Sequence, residues 1–355
     1  MIPKERIAEI LSGYGEDISI ATVCSHSSLQ IFDGARKEGF KTIGIAIGRP
    51  PKYYDAFPRA KPDEFFIVDT YPEIVDKASE LAERNAVIVP HGSFVEYLGY
   101  ELFLGLELPT FGNRRVLEWE SDREKEREWL TSAGLSMPRK IEKPEEIDTP
   151  VLVKYHGAKG GSGFFLAKDY ADFKAKLAPG EEYSIQEYLI GTRYYIHYFH
   201  SPISEDGYRL SKGTLELVSI DRRDESNIDG LYRMGSSEEF ERMGIHPTFV
   251  VTGNTPLVLR ESLLPKAFEI GERTVERSLK LFGGMIGPFS LETIVTDDLE
   301  FKVFEISARI VAGTNLFISG SPYSDLIYER MSTGRRIARE IRVAKEKNLL
   351  MEILS

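Results

Sequence analysis

Two glutamates give the first indication of chemistry. Glu292 and Glu305 lie in apolar runs at 289–295 and 299–307, joined through Asp297-Asp298. A tight turn at that dipeptide predicts an antiparallel hairpin in which Glu292 faces Val303 and Glu305 lies two residues further along the same face. The two carboxylates are then diagonal neighbours, about 7–8 Å apart at Cα. Like charges at that distance repel unless a cation lies between them. Mg2+ (or Mn2+), bound by one or two carboxylates and by substrate phosphates, suits the pair. Two edge glutamates on a solvated sheet face would fit the same pattern. An anion site of the complementary kind lies upstream, where the strand-like run 151–155 carries Lys154 and leads into a glycine-rich loop with Gly157, Lys159, Gly160, Gly161 and Gly163. Glycines let backbone N–H groups close over phosphates, and the lysines add charge. Because a strand follows at 164–167, the segment is neither a Walker loop nor a Rossmann turn, both of which open a helix. Taken alone the loop could be a flexible hairpin; with Lys154 before it and the paired glutamates downstream, the phosphate reading is favoured.

Other segments add functional groups. Arg309 follows the second glutamate in an apolar frame, and its fork of donors suits a phosphate or a carboxylate; a buried ion pair would use it equally well. Gln186-Glu187-Tyr188-Leu189 ends a strand-like run, where backbone groups can read an adenine edge and Glu187 a ribose hydroxyl. His26, among Ser25, Ser27 and Ser28, occupies a strand-to-helix turn of the kind that binds phosphate. Asn254 ends a short strand, placed to bond a polar ligand or to close a plain turn. Residues 221–227 read as a charged loop containing Glu225, and 118–128 as a solvated helix face.

The elements that must position these groups fall into two halves. Strands at 18–23, 42–47, 64–68 and 86–89 alternate with helices at 28–37 and 72–84, which predicts a parallel α/β sheet. Ligands bind beyond the carboxyl ends of such strands, and the loops holding His26 and Ser93 lie there. A capping box at Ser121-Asp122-Arg123-Glu124 opens the next helix, so the domains are predicted as 1–120 and 121–355. The second part is α+β: strands at 151–155, 164–167, 183–189, 194–199 and 214–220, a long helix at 265–282, the hairpin, and a final helix at 333–348.

Composition sets bounds on function. The 355 residues are 42% hydrophobic and 28% charged, ordinary for a globular chain. A net charge of −11 with no basic run argues against nucleic-acid binding. Cys24 is the single cysteine, so no intrachain disulfide or Cys-rich zinc site is expected. With no signal sequence and no apolar span, a cytoplasmic protein without a membrane partner is expected. Scarce glutamine beside abundant Glu, Lys and Arg hints at heat adaptation.

Taken in order, Lys154, the glycine loop, Gln186–Leu189 and the two glutamates resemble the ATP-grasp ligases. Ser25-His26-Ser27-Ser28-Leu29, Pro90-His91-Gly92-Ser93-Phe94 and Phe304-Glu305-Ile306-Ser307-Ala308-Arg309 narrow the resemblance to the archaeal formate-dependent FAICAR synthetases, over nearly the full length. The resemblance implies an ATP-grasp fold preceded by a Rossmann-like parallel domain. It implies formylation of 5-aminoimidazole-4-carboxamide ribonucleotide (AICAR) to FAICAR by ATP and formate through formyl phosphate. It also implies contacts from His26, Ser93 and Asn254 to AICAR. Lys154, residues 157–163, Gln186, Glu187, Tyr188, Leu189 and Glu225 would contact ATP, and Glu292 and Glu305 the metal. Arg309 and Lys159 are the candidate catalytic cations. Ser307 stands where many ATP-grasp enzymes have an asparagine ligand, and a trimer or hexamer is implied. A sister ligase using another amine or acid, or a noncatalytic nucleotide-binding regulator, would share much of this pattern.

Overall fold

The computed structural model describes residues 1–155, 163–225 and 250–355. The glycine-loop residues Gly157, Lys159, Gly160 and Gly161 lie outside them.

The N-terminal part is the expected parallel sheet, with order β3-β2-β1-β4. Its strands are β1 (Ser19–Val23), β2 (Lys41–Ile47), β3 (Glu64–Val68) and β4 (Ala86–Ile88). Every residue of β1 is buried, as a central parallel strand requires. The helix Ser28–Lys37 follows β1 as predicted. The helix predicted over 72–84 is instead two short ones, Glu73–Asp76 and Ala78–Ala82, broken at Lys77, whose backbone (φ −97°, ψ 15°) leaves helical geometry.

Two antiparallel sheets follow. The smaller, in order β5-β8-β6-β7, joins β5 (Lys140–Ile141), β6 (Val151–Tyr155), β7 (Phe164–Ala167) and β8 (Tyr183–Glu187). The larger runs β10-β11-β9-β13-β14, with β12 on β11. It contains β9 (Thr192–Ser201), β10 (Tyr208–Arg209), β11 (Thr214–Glu225), β12 (Val251–Pro256), β13 (Gly287–Val295) and β14 (Phe301–Ser307). The long amphipathic helix Leu264–Phe282 packs on this sheet and stops at Gly283, which takes φ +88°.

Three expectations are corrected. Residues 221–225 continue β11 rather than forming a loop, because β12 pairs with them from Asp221↔Pro256 to Glu225↔Val251. The helix Arg123–Ser132 is capped by Asp122, not Ser121: the Asp122 carboxylate accepts from the Glu124 and Lys125 N–H groups, while Ser121 O–H donates back to the Leu117 carbonyl. In the β13–β14 hairpin, Thr293 pairs with Val303 but Glu292 pairs with Glu305. A bulge inserts Phe304 as the extra residue, and it turns a diagonal pair of glutamates into a directly opposed one.

A late helix, Thr333–Glu346, returns to the N-terminal part and crosses Ser28–Lys37 at backbone contact. A Cβ on Gly34 would lie 2.3 Å from the Arg335 nitrogen, and one on Gly334 2.4 Å from the Gln30 carbonyl oxygen. Ile31, Ala35, Val87, Ile310, Ile337 and Ile341 close one core across this junction.

Candidate functional site

The larger sheet presents a polar face built from register. Tyr195 on β9 pairs with Glu292, and Glu292 with Glu305. Glu292 is buried; Glu305, at the sheet's edge, is exposed. Arg223 lies 3.1 Å from Glu292 and stacks 3.8 Å over the Tyr195 ring. Burial raises the Glu292 carboxyl well above the usual range and the Glu305 charge adds to this, against Arg223. The donor set fits a hard divalent cation: two opposed carboxylates, one with its proton affinity raised by the other. The Glu305 carboxylate makes no hydrogen bond or ion pair among the described residues.

Lys154 reaches this face from the smaller sheet. Burial lowers its pKa, and Glu305 is the carboxylate that most strongly opposes the fall. Gln186 lies two pairs along β8 from the partner of Lys154 and on the same face, since Leu152 pairs with Gln186 and Lys154 with Ser184. Glu187 folds back on its own sheet, where its carboxylate and its N–H bond the Arg139 backbone. Tyr188 N–H donates to the Pro150 carbonyl, Tyr188 is exposed, and Leu189 is half-buried. Gly163 takes φ +76° and accepts from Tyr155 N–H, closing the base of the glycine loop. Glu225 ends β11 in an ion pair with Arg193, with 2.7 and 2.9 Å contacts to its two oxygens.

A second cluster forms where the N-terminal strand ends meet β14. Ser25 O–H donates to Ser93 Oγ at 2.9 Å, joining the loop after β1 to the first turn of the helix Gly92–Leu98, so Ser93 stands in a helix and not in the expected loop. His91 bridges to Ile310 and bonds the Val23 carbonyl. Burial pushes His91 down to about 4, with the nearby exposed His26 and Arg309 acting the same way. The Arg309 guanidinium lies against Gly92, pairs with Glu120 at 2.8 Å, and keeps its Nε buried without a partner among the described residues. Asn254 pairs in register with Arg223 and donates to Asp221 at 2.7 Å.

The sequence reading missed Glu120 and Glu126, assigned there to a solvated helix face. Glu126 accepts from Ile306 N–H at 2.7 Å and Glu120 from Ala308 N–H at 2.9 Å, so both carboxylates grip β14. Burial, reinforced by Glu305, pushes Glu126 up to about 9. Their signal was a flank of Trp119 and Trp129, the latter fully buried, which turns one side of a charged stretch inward.

A family described as a protein of unknown function (DUF1246) matches residues 20–141, and one described as a domain of unknown function (DUF1297) matches residues 177–355. A 5-formaminoimidazole-4-carboxamide-1-(beta)-D-ribofuranosyl 5'-monophosphate synthetase of Methanococcoides burtonii is 64% identical over 100% of both chains. A crystal structure titled as an IMP biosynthesis protein PurP from Thermococcus kodakaraensis aligns with TM-score 0.74 and 32% identity, over 95% of this chain and 100% of that one. An ADP complex of an N5-carboxyaminoimidazole ribonucleotide synthetase aligns with TM-score 0.64 at 16% identity, over 91% and 76%, and so shares the fold. The fold is ATP-grasp behind a parallel α/β domain, and the chain belongs to the family of 5-formaminoimidazole-4-carboxamide-1-(beta)-D-ribofuranosyl 5'-monophosphate synthetases.

Proposed function

We propose that this chain is the ATP-dependent ligase that formylates AICAR with formate. The observation that carries the reading is the direct opposition of Glu292 and Glu305 within the electrostatic reach of Lys154. The γ-phosphoryl group of ATP passes to a formate oxygen, giving formyl phosphate and ADP. The 5-amino nitrogen then attacks the formyl carbon, the C–O bond to phosphate breaks, and the amine loses a proton. Glu292 and Glu305 would hold Mg2+ (or Mn2+), which offsets phosphate charge when bound. Lys154, Lys159 and the 157–163 loop bind the phosphates and exclude water from formyl phosphate. Gln186, Glu187, Tyr188, Leu189 and Glu225 seat the nucleoside. Arg309 orients formate and the acyl phosphate, and His26, Ser93 and Asn254 seat AICAR. In this reading residues 1–120 supply His26 and Ser93 on the AICAR side, joined by Asn254 from β12, and 121–355 supply the ATP side, in a cytoplasmic trimer or hexamer.

Phosphate release with ATP, Mg2+, AICAR and formate, each omitted in turn, tests the proposal. Release that requires all four is expected. Release without formate, or with a different acid in its place, would replace this reading with the sister-ligase one.

A further inference from the structure

Asn254 is the outer end of a polar chain that runs into the large sheet. Its amide Nδ2 donates to Asp221 Oδ2 at 2.7 Å. Asp221 is fully buried, and its other oxygen is held by Nε2 of the buried His197. Backbone walls it in on a further side, since a Cβ on Gly313 would lie 2.5 Å from Asp221 Oδ1. Burial raises the Asp221 carboxyl, but the hydrogen bond and charge of His197, with Asn254, outweigh it and hold the group below its ordinary range. A carboxylate accepts and cannot donate, so the NH2 of Asn254 must face Asp221. The amide oxygen is thereby turned away, at a half-buried position beside Arg223, and accepts no hydrogen bond among the described residues.

We infer that Asp221 and His197 are positioning residues that present Asn254 to the ligand as an acceptor, and that this acceptor selects a 4-carboxamide aminoimidazole ribonucleotide over its 4-carboxylate analogue. The inference rests on the function proposed above, in which Asn254 seats AICAR, and assigns its contact to the base. The 5-amine is turned toward the formyl carbon, so the carboxamide N–H is the donor left for Asn254. A carboxylate at that position would set oxygen against oxygen with no proton between them. A site built to pair an N–H discriminates strongly against a ligand lacking it, because its own polar group is left unpaired.

The test uses the full chain and reads the KM and kcat for AICAR beside the inhibition constant of the 4-carboxylate analogue. Wild type should favour the carboxamide by about 100-fold or more. Asp221→Asn, isosteric and able to donate, releases the Asn254 amide to rotate. It should raise the AICAR KM about 10-fold with kcat little changed, and lower the carboxamide preference about 10-fold. The swap D221N/N254D returns an acceptor to the ligand side and should recover the preference, which a merely structural role would not produce. An unchanged preference in D221N, or no recovery in the swap, overturns the inference. If D221N does not fold, His197→Leu serves: it frees the far oxygen of Asp221 and should erode the preference, and an unchanged ratio there again overturns it. Failure of wild type to bind AICAR at all would instead overturn the proposed function, so the two failures are distinguishable.

Discussion

Glu305 is exposed and outside every ion pair among the described residues, so its charge is dispensable to the fold. Glu305→Gln should therefore leave the circular dichroism spectrum and AICAR affinity intact. Turnover should fall about 10²-fold or more, the scale of one strong electrostatic contact, with partial recovery at high Mg2+ or Mn2+. Full activity at ordinary Mg2+ would remove the metal role. Glu126 makes a different prediction. Its folded pKa of about 9 lies above the roughly 4.3 of a free glutamate. Stability linked to a raised carboxyl is complete below the unfolded value, declines as pH rises, and is gone above about 9. Glu292 acts in the same direction. Glu126→Gln keeps an acceptor for Ile306 N–H and has no proton to lose. Its melting temperature should fall less than that of wild type between pH 5 and 9, gaining about 2 °C or more at the alkaline end by calorimetry. Parallel wild-type and variant curves would refute this. That Glu292 and Glu305 share one hairpin face was legible in the sequence from the two apolar runs around Asp297-Asp298, although their exact pairing was not. Glu126 was not, since charge density alone does not reveal which side of a helix a neighbouring strand will cover.

Most strands of the molecule announced themselves through short apolar runs bounded by glycine and charge. What escaped was decided by partners distant in sequence. β11 runs on through a charged segment because β12, beyond residue 249, pairs with it. The hairpin register was misread by the width of one bulge, which no local propensity marks. The crossing of Ser28–Lys37 with Thr333–Glu346 offers the sharpest test at this scale. Both Gly34 and Gly334 meet backbone where a Cβ would go, and backbone cannot rotate away as a side chain can. Gly34→Ala or Gly334→Ala should each cost about 2–3 kcal/mol, read as a lower urea midpoint at unchanged slope. The Gly334 substitution should also disturb Gln30, which accepts from the Gly334 N–H and donates to Thr314 and Asn315. A midpoint within 0.5 kcal/mol of wild type would show that the helices separate at little cost.

At the scale of the whole molecule, binding of a nucleotide should stabilise the chain by mass action. At 100 times its Kd, ADP with Mg2+ contributes about 2.7 kcal/mol and should raise the melting temperature by about 3–6 °C. No shift at millimolar ADP or ATP would count against any ATP-grasp chemistry. The α/β beginning and α+β continuation were legible from periodicity, but the return of the Thr333–Glu346 helix to the first sheet was not, because an amphipathic helix does not name the surface that will cover it. That return bears on how the protein is made. Helix Ser28–Lys37 leaves the ribosome about 300 residues before the helix that seals it, an interval of roughly 15–60 s at ordinary elongation rates. Throughout that time Ile31 and Ala35 lack their final cover. The nascent N-terminal sheet thus carries an open apolar face until the Thr333–Glu346 helix has been made, and only then can it reach its finished form.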